Sequence, residues 1–92
     1  MNVGILGLGL IGGSMARAYA LEGHKVYAAE TDPGTLSHAI LCGAVQGILD
    51  ENSIGSCELI LLAIYPEGSA SWLQKNAALI SKDALVMDLC GI

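Results

Sequence analysis

Four residues of this chain have types and spacing that suit chemistry: Gly7, Gly9, Gly12 and, 18 residues further on, Glu30. The glycines form Gly-x-Gly-x-x-Gly, directly after an apolar run over residues 2–6 and directly before a run of helical period. A glycine at 7 permits a tight turn out of a strand. At 9 the missing Cβ lets backbone approach a pyrophosphate, and at 12 it lets the following helix pack closely. The N–H groups of Leu10, Ile11 and Gly12 then open a helix without intrahelical acceptors, with the positive end of its dipole behind them. That is a cradle for phosphate. Glu30 closes the next apolar run, near the offset of about 20 residues at which an acid accepts both hydroxyls of an adenosine ribose. The glycine pattern alone is weak, but strand, helix and acid around it make it the dinucleotide-binding fingerprint. The cofactor residues read this way are Gly7, Leu8, Gly9, Leu10, Ile11, Gly12, Glu30 and Thr31. A carboxylate at 30 repels a 2′-phosphate and no Lys or Arg follows it in the loop, so NAD is favoured over NADP.

These residues need a scaffold, and the hydrophobic pattern supplies one. Strands are expected over 2–6, 25–30, 44–45, 59–64 and 84–89. Helices are expected over 10–22, from Pro33 to a stop at Gly43, and over 67–80. Asp32 before Pro33 reads as an N-cap, and Gly23 as a helix stop. In the first helix Ile11, Met15, Ala18 and Tyr19, with Ala16, form the expected buried stripe. The run 59–64 is apolar throughout, as in a parallel strand covered on both faces. Alternation at these lengths predicts an α/β fold, a doubly wound parallel sheet of Rossmann type with order 3-2-1-4-5. One dinucleotide-binding domain would then span 1–92. The chain ends directly after the fifth strand, so the expectation is a domain cut from a larger protein, exposing apolar surface that self-associates.

The end of the fourth strand falls at the switch point where ligands bind, which adds Ala63 and Tyr65 to the candidate cofactor residues. Tyr65 lines the nicotinamide or ribose pocket, or is a partly exposed loop aromatic. Ser14 either touches a phosphate or bonds its own helix. Asp88, near the binding edge of the fifth strand, is either a backbone acceptor or catalytic. His24 and His38 read as surface residues, Trp72 and Leu73 as packing. No nucleophile–base pair and no metal cluster stands out, so no residue is assigned a catalytic role and no metal site is expected.

Composition narrows the class further. A net charge of −5, with four Lys and Arg in 92 residues, argues against a nucleic-acid partner. The longest apolar run, 59–65, falls short of the roughly 18 residues of a membrane span, and the N-terminus lacks a basic signal-peptide region. Cys42, Cys57 and Cys90 are odd in number without metal-like spacing, and read as reduced thiols of a cytoplasmic protein.

Residues 7–16, Gly-Leu-Gly-Leu-Ile-Gly-Gly-Ser-Met-Ala, resemble the start of the prephenate dehydrogenase family, which includes arogenate and cyclohexadienyl dehydrogenases. Glu30-Thr-Asp-Pro33, Cys42-Gly-Ala-Val45, the strand 59–64 and Met87-Asp-Leu-Cys-Gly-Ile92 carry the resemblance along all 92 residues. The last segment is similar to the family's Asp-x-Gly-Ser/Gly-x-Lys, with the lysine expected just past Ile92. The resemblance implies the cofactor domain of an NAD enzyme that oxidatively decarboxylates prephenate or arogenate in tyrosine biosynthesis. It also implies a catalytic histidine and a helical, dimer-forming substrate domain outside this chain. Two positions depart from the pattern. Gly91 stands where many members have a substrate-contacting serine, and Cys90 where glycine is common. The alternatives are a β-hydroxyacid or imine-type dehydrogenase and, from another class, an NAD-sensing module without turnover.

Overall fold

The computed structural model describes residues 1–90. Five strands, β1 (Asn2–Leu6), β2 (Lys25–Ala29), β3 (Gly47–Ile48), β4 (Leu59–Leu62) and β5 (Leu85–Asp88), form one sheet of order β3-β2-β1-β4-β5. Every pairing is parallel, with Val3 beside both Val26 and Leu59, and Leu59 beside Leu85. The expected topology is therefore present. Three helices connect the strands: α1 (Leu10–Leu21), α2 (Pro33–Leu41) and α3 (Pro66–Asn76).

Side chains alternate across the strands and bury on both faces. Val3, Ile5, Val26, Ala28, Leu59 and Leu61 form one core, onto which Ala16 and Tyr19 of α1 and Leu36 and Ala39 of α2 pack. Leu6, Ile60 and Leu62 form the other with Leu49, Ile54 and Cys57, covered by Trp72 and Leu73 of α3. The packing reading of Trp72 and Leu73 holds. Burial, with Glu58 alongside, pushes the Cys57 thiol pKa up, and all three cysteines are free.

Several boundaries differ from the pattern. Ala44 and Val45 are buried but not a strand: both amides return to the Ala39 carbonyl, at 3.0 and 3.2 Å, and close α2. Gln46 then bonds Val26 twice, its amide to the carbonyl at 2.8 Å and its Oε1 to the amide at 2.7 Å. A side chain thus imitates one rung of the ladder, and β3 pairs only from Gly47. Strands β2 and β4 stop short of Glu30 and of Ala63. Helix α3 starts at Pro66, and its expected last turn is a 3-10 turn over Ala77–Leu79.

The buried stripe of α1 is also narrower than its period suggests. Gly12 and Ala16 face the sheet, while Ile11 is 51% exposed and Ala18 is exposed. Small residues bring the helix axis close to the sheet, so the contact line runs along them rather than along the larger side chains. On β5, Leu85 and Met87 stay 59% and 46% exposed, because nothing among the described residues covers the outer edge of the sheet.

Candidate functional site

Strand order reverses between β1 and β4, and the crossovers leave on opposite faces there, which opens a crevice at the carboxyl edge. A cleft of about 430 Å³ occupies it. Seven of the expected residues meet in its wall: Gly7, Gly9, Leu10, Ile11, Glu30, Ala63 and Tyr65. Thr31 lines an adjoining apolar hollow of about 260 Å³ with Leu6, Ala29, Ile64 and Trp72.

Gly7 turns the chain out of β1 at φ +94°, its amide donating to the Ala29 carbonyl at 2.8 Å. A Cβ there would lie 2.5 Å from Ile64 Cγ2 and 2.8 Å from the Ala63 carbonyl oxygen, so both conformation and space require glycine. Gly9 is the N-cap of α1 and supplies no capping side chain, and no acid stands in the first turn. The helix's bonding begins with the Gly13 amide on the Gly9 carbonyl at 2.8 Å. The N–H groups of Leu10, Ile11 and Gly12 therefore precede any intrahelical acceptor. A Cβ on Gly9 would meet nothing within 4 Å, so a side chain there would project into open space beside the cleft.

Two expected cofactor residues line neither the cleft nor the adjoining hollow. Leu8 is buried in the core beneath α1 and contributes its amide rather than its side chain. Gly12 lies behind the loop, where a Cβ would overlap the Gly7 carbonyl oxygen. Both shape the cradle from behind.

Glu30 joins the two loops of the site. Its Oε1 accepts the Leu8 amide at 2.7 Å and its Oε2 accepts the Asp32 amide at 3.0 Å. An ionised carboxylate has about four lone-pair sites, so each oxygen keeps capacity for a ribose hydroxyl. Asp32 caps α2 as expected, its Oδ2 accepting the Thr35 amide at 2.9 Å and hydroxyl at 2.5 Å. Those bonds hold its carboxyl below the ordinary carboxylate range.

The remaining candidates resolve by their partners. Ser14 Oγ donates to the Leu10 carbonyl at 2.8 Å, which bonds it to its own helix. Asp88 Oδ1 accepts the Cys90 amide at 2.9 Å, a local turn. Tyr65 stands 84% exposed at the mouth of the cleft. His24 lies against the N-terminal amine and the Tyr19 ring. His38 lines a different groove, between α1 and α2, with Arg17 and Cys42. Among the described residues no group of His, Cys, Asp and Glu is arranged to hold a metal, and no helix is long and apolar enough to cross a membrane. Gly91 lies outside the described residues. Sequence reasoning missed Ile64, read only as a strand end, and Cys90, whose place in the cleft wall follows from the β4–β5 register. Their signal was position at the carboxyl edge, not residue type.

The fit to a dinucleotide is good: a glycine-walled space in front of uncapped helical N–H groups, with a fixed carboxylate at ribose distance along the fingerprint. Comparison with known proteins agrees. The model of the family described as "NADP oxidoreductase coenzyme F420-dependent" matches residues 2–90. Among solved structures, Synechocystis arogenate dehydrogenase is 27% identical with a TM-score of 0.86, covering 96% of this chain and 32% of that one. Prephenate dehydrogenase from A. aeolicus, solved with hydroxyphenyl propionate and NAD+, is 26% identical with a TM-score of 0.81, at 96% and 32% coverage. The 3-hydroxyisobutyrate dehydrogenase of Mycobacterium tuberculosis, at 20% identity, TM-score 0.84 and 95% and 30% coverage, shares the fold. The chain thus spans about a third of the length of these structures. No curated protein matches it significantly. The chain belongs to the family whose model it matches, as an NAD(P)-binding oxidoreductase domain with a Rossmann-type fold.

Proposed function

We propose that this chain is the NAD-binding domain of a dehydrogenase of the prephenate and arogenate type. The observation that carries the reading is the cleft in which the glycine loop, Glu30 and Tyr65 meet at the carboxyl edges of β1, β2 and β4. The residue-level resemblance of 7–16 and 87–92 supports the substrate class, as do the two solved relatives above 25% identity. The N–H groups of Leu10, Ile11 and Gly12 would hold the pyrophosphate and Glu30 the adenosine ribose. The apolar hollow beside Ile64 and Trp72 offers a flat wall for adenine, and Tyr65 a ring at the nicotinamide end. NAD would supply the hydride acceptor for the ring carbon bearing the substrate hydroxyl, with loss of the ring carboxylate as CO2 giving the aromatic product.

The carboxylate of Glu30 favours NAD. Two backbone amides fix it, so it cannot swing aside for a 2′-phosphate. In a protein of the relatives' length, the acid–base group, the substrate contacts and a homodimeric helical domain would come from the other two thirds. A cytoplasmic enzyme with reduced cysteines fits this reading.

Calorimetric titration of the 92-residue chain with NAD+ and NADP+ tests it. NAD+ should bind at least about tenfold more tightly, and Gly9→Val should abolish binding of both. Absence of binding by either nucleotide would refute the cofactor assignment.

A further inference from the structure

The turn between β2 and α2 carries two carboxylates, and the reading above uses one. The Asp32 amide lies 3.0 Å from Glu30 Oε2, so one short turn holds both acids. Asp32 does not line the cleft. Its carboxylate instead takes the Thr35 amide and hydroxyl, the donors that an anion at the start of α2 would use. A 2′-phosphate would hang from the ribose hydroxyl that Glu30 accepts, which brings it toward this same turn. No Lys or Arg occurs between Glu30 and Lys75; Arg17 of α1 shares a groove with Thr35 and His38 and donates to Ser14 Oγ at 3.4 Å.

We propose that Asp32 is a second determinant of cofactor choice: its carboxylate occupies the donors at the start of α2 and repels a 2′-phosphate without touching NAD. The inference rests on the reading that the cleft binds a dinucleotide with its ribose on Glu30. The Thr35 hydroxyl and amide hold the Asp32 carboxyl below the ordinary carboxylate range. Glu30→Gln keeps one acceptor oxygen and puts an NH2 in place of the other, so one of the Leu8 and Asp32 amides loses its acceptor and its loop loosens, while the Asp32 charge remains over Thr35. Glu30→Gln should therefore weaken NAD+ more than it helps NADP+.

Two substitutions separate the charge of Asp32 from its cap. Asp32→Asn removes the charge and keeps an equally good N-cap, and Asp32→Gly also frees the Thr35 donors at small cost to the helix. Dissociation constants for NAD+ and NADP+ are measured by calorimetry on the whole chain, at low and high salt. For Asp32→Asn we expect NAD+ affinity within about twofold of wild type and NADP+ affinity up by roughly three- to tenfold at low salt. Asp32→Gly should gain more. The gain should shrink at high salt, because exposed charges are screened over about 8 Å at physiological ionic strength; a purely structural effect of the cap would not follow salt. If wild type prefers NAD+ and neither substitution changes the NAD+/NADP+ ratio, Asp32 has no such role and the cofactor reading stands. If wild type binds neither nucleotide, or prefers NADP+, the cofactor reading falls and this inference with it.

Discussion

Helices α1 and α2 leave neighbouring strands at the same edge of the sheet and pack on the same face, yet they begin in opposite ways. The first opens on Gly9 with no side-chain cap and no acid in its first turn. The second opens on Asp32, whose carboxylate takes the Thr35 amide and hydroxyl, with Pro33 at the first helical position. Asp32 satisfies the start of α2 internally and stabilises it locally. The start of α1 keeps its donors for an external anion and depends on tertiary contact, with Gly12 against the glycine loop and Ala16 in the core. A cap and a phosphate compete for the same N–H groups. Of these two helices, only α1 lacks an acceptor of its own.

The largest disruption should come from Gly12→Val. Its Cβ would overlap the Gly7 carbonyl oxygen, a backbone atom that cannot rotate away. Urea denaturation should show a loss of about 2–4 kcal/mol, and nucleotide binding should vanish with the shape of the loop.

Next comes the exchange of one helix start for the other. Gly9→Asp gives α1 the kind of cap that α2 has, at a position whose extended backbone accepts any residue and whose Cβ direction is open. The melting temperature should hold or rise slightly, while calorimetry should show NAD+ binding weakened at least about 100-fold. Intact binding in this variant would mean that the phosphates do not use the start of α1.

Asp32→Ala probes the other side of the comparison. It should lower the melting temperature and leave NAD+ affinity nearly unchanged. The folded-state pKa of Asp32 lies below its ordinary value of 3.8. The stability it adds is therefore full above that value and is lost as pH falls through the depressed one. Wild type and variant should differ at neutral pH and converge in strong acid, as followed by circular dichroism.

Ser14→Ala should have the smallest effect. The hydroxyl is bonded to the Leu10 carbonyl, so the NAD+ dissociation constant should stay within about twofold. A larger loss would place Ser14 on the phosphates and widen the cradle beyond the backbone.

Much of this architecture is legible in one dimension because its causes are local. The strand-and-helix alternation, with right-handed crossovers, restricts the sheet to very few orders, and the observed one is among them. Gly7, Gly9, Gly12 and the Asp32 cap act within a few residues of themselves, so spacing alone identifies them. Other features depend on what the chain meets elsewhere. Ala44 and Val45 look like a strand, but their amides close α2, and Gln46 takes the place beside Val26. Ile11 and Ala18 share the helical period of a buried stripe, yet close approach at Gly12 and Ala16 turns them outward. Leu8 belongs to the loop by position and to the core by packing.

By itself, then, the sequence determined the topology, the glycine cradle and the acid that faces it, since each follows from residue type at fixed short spacing. Only the tertiary structure decided that Glu30 ties two loops together across 22 residues, and that Cys90 and Ile64 complete the cleft. Those outcomes depend on which backbone amides the parallel pairings of β1, β2, β4 and β5 bring within hydrogen-bond reach, and no spacing along the chain encodes that distance.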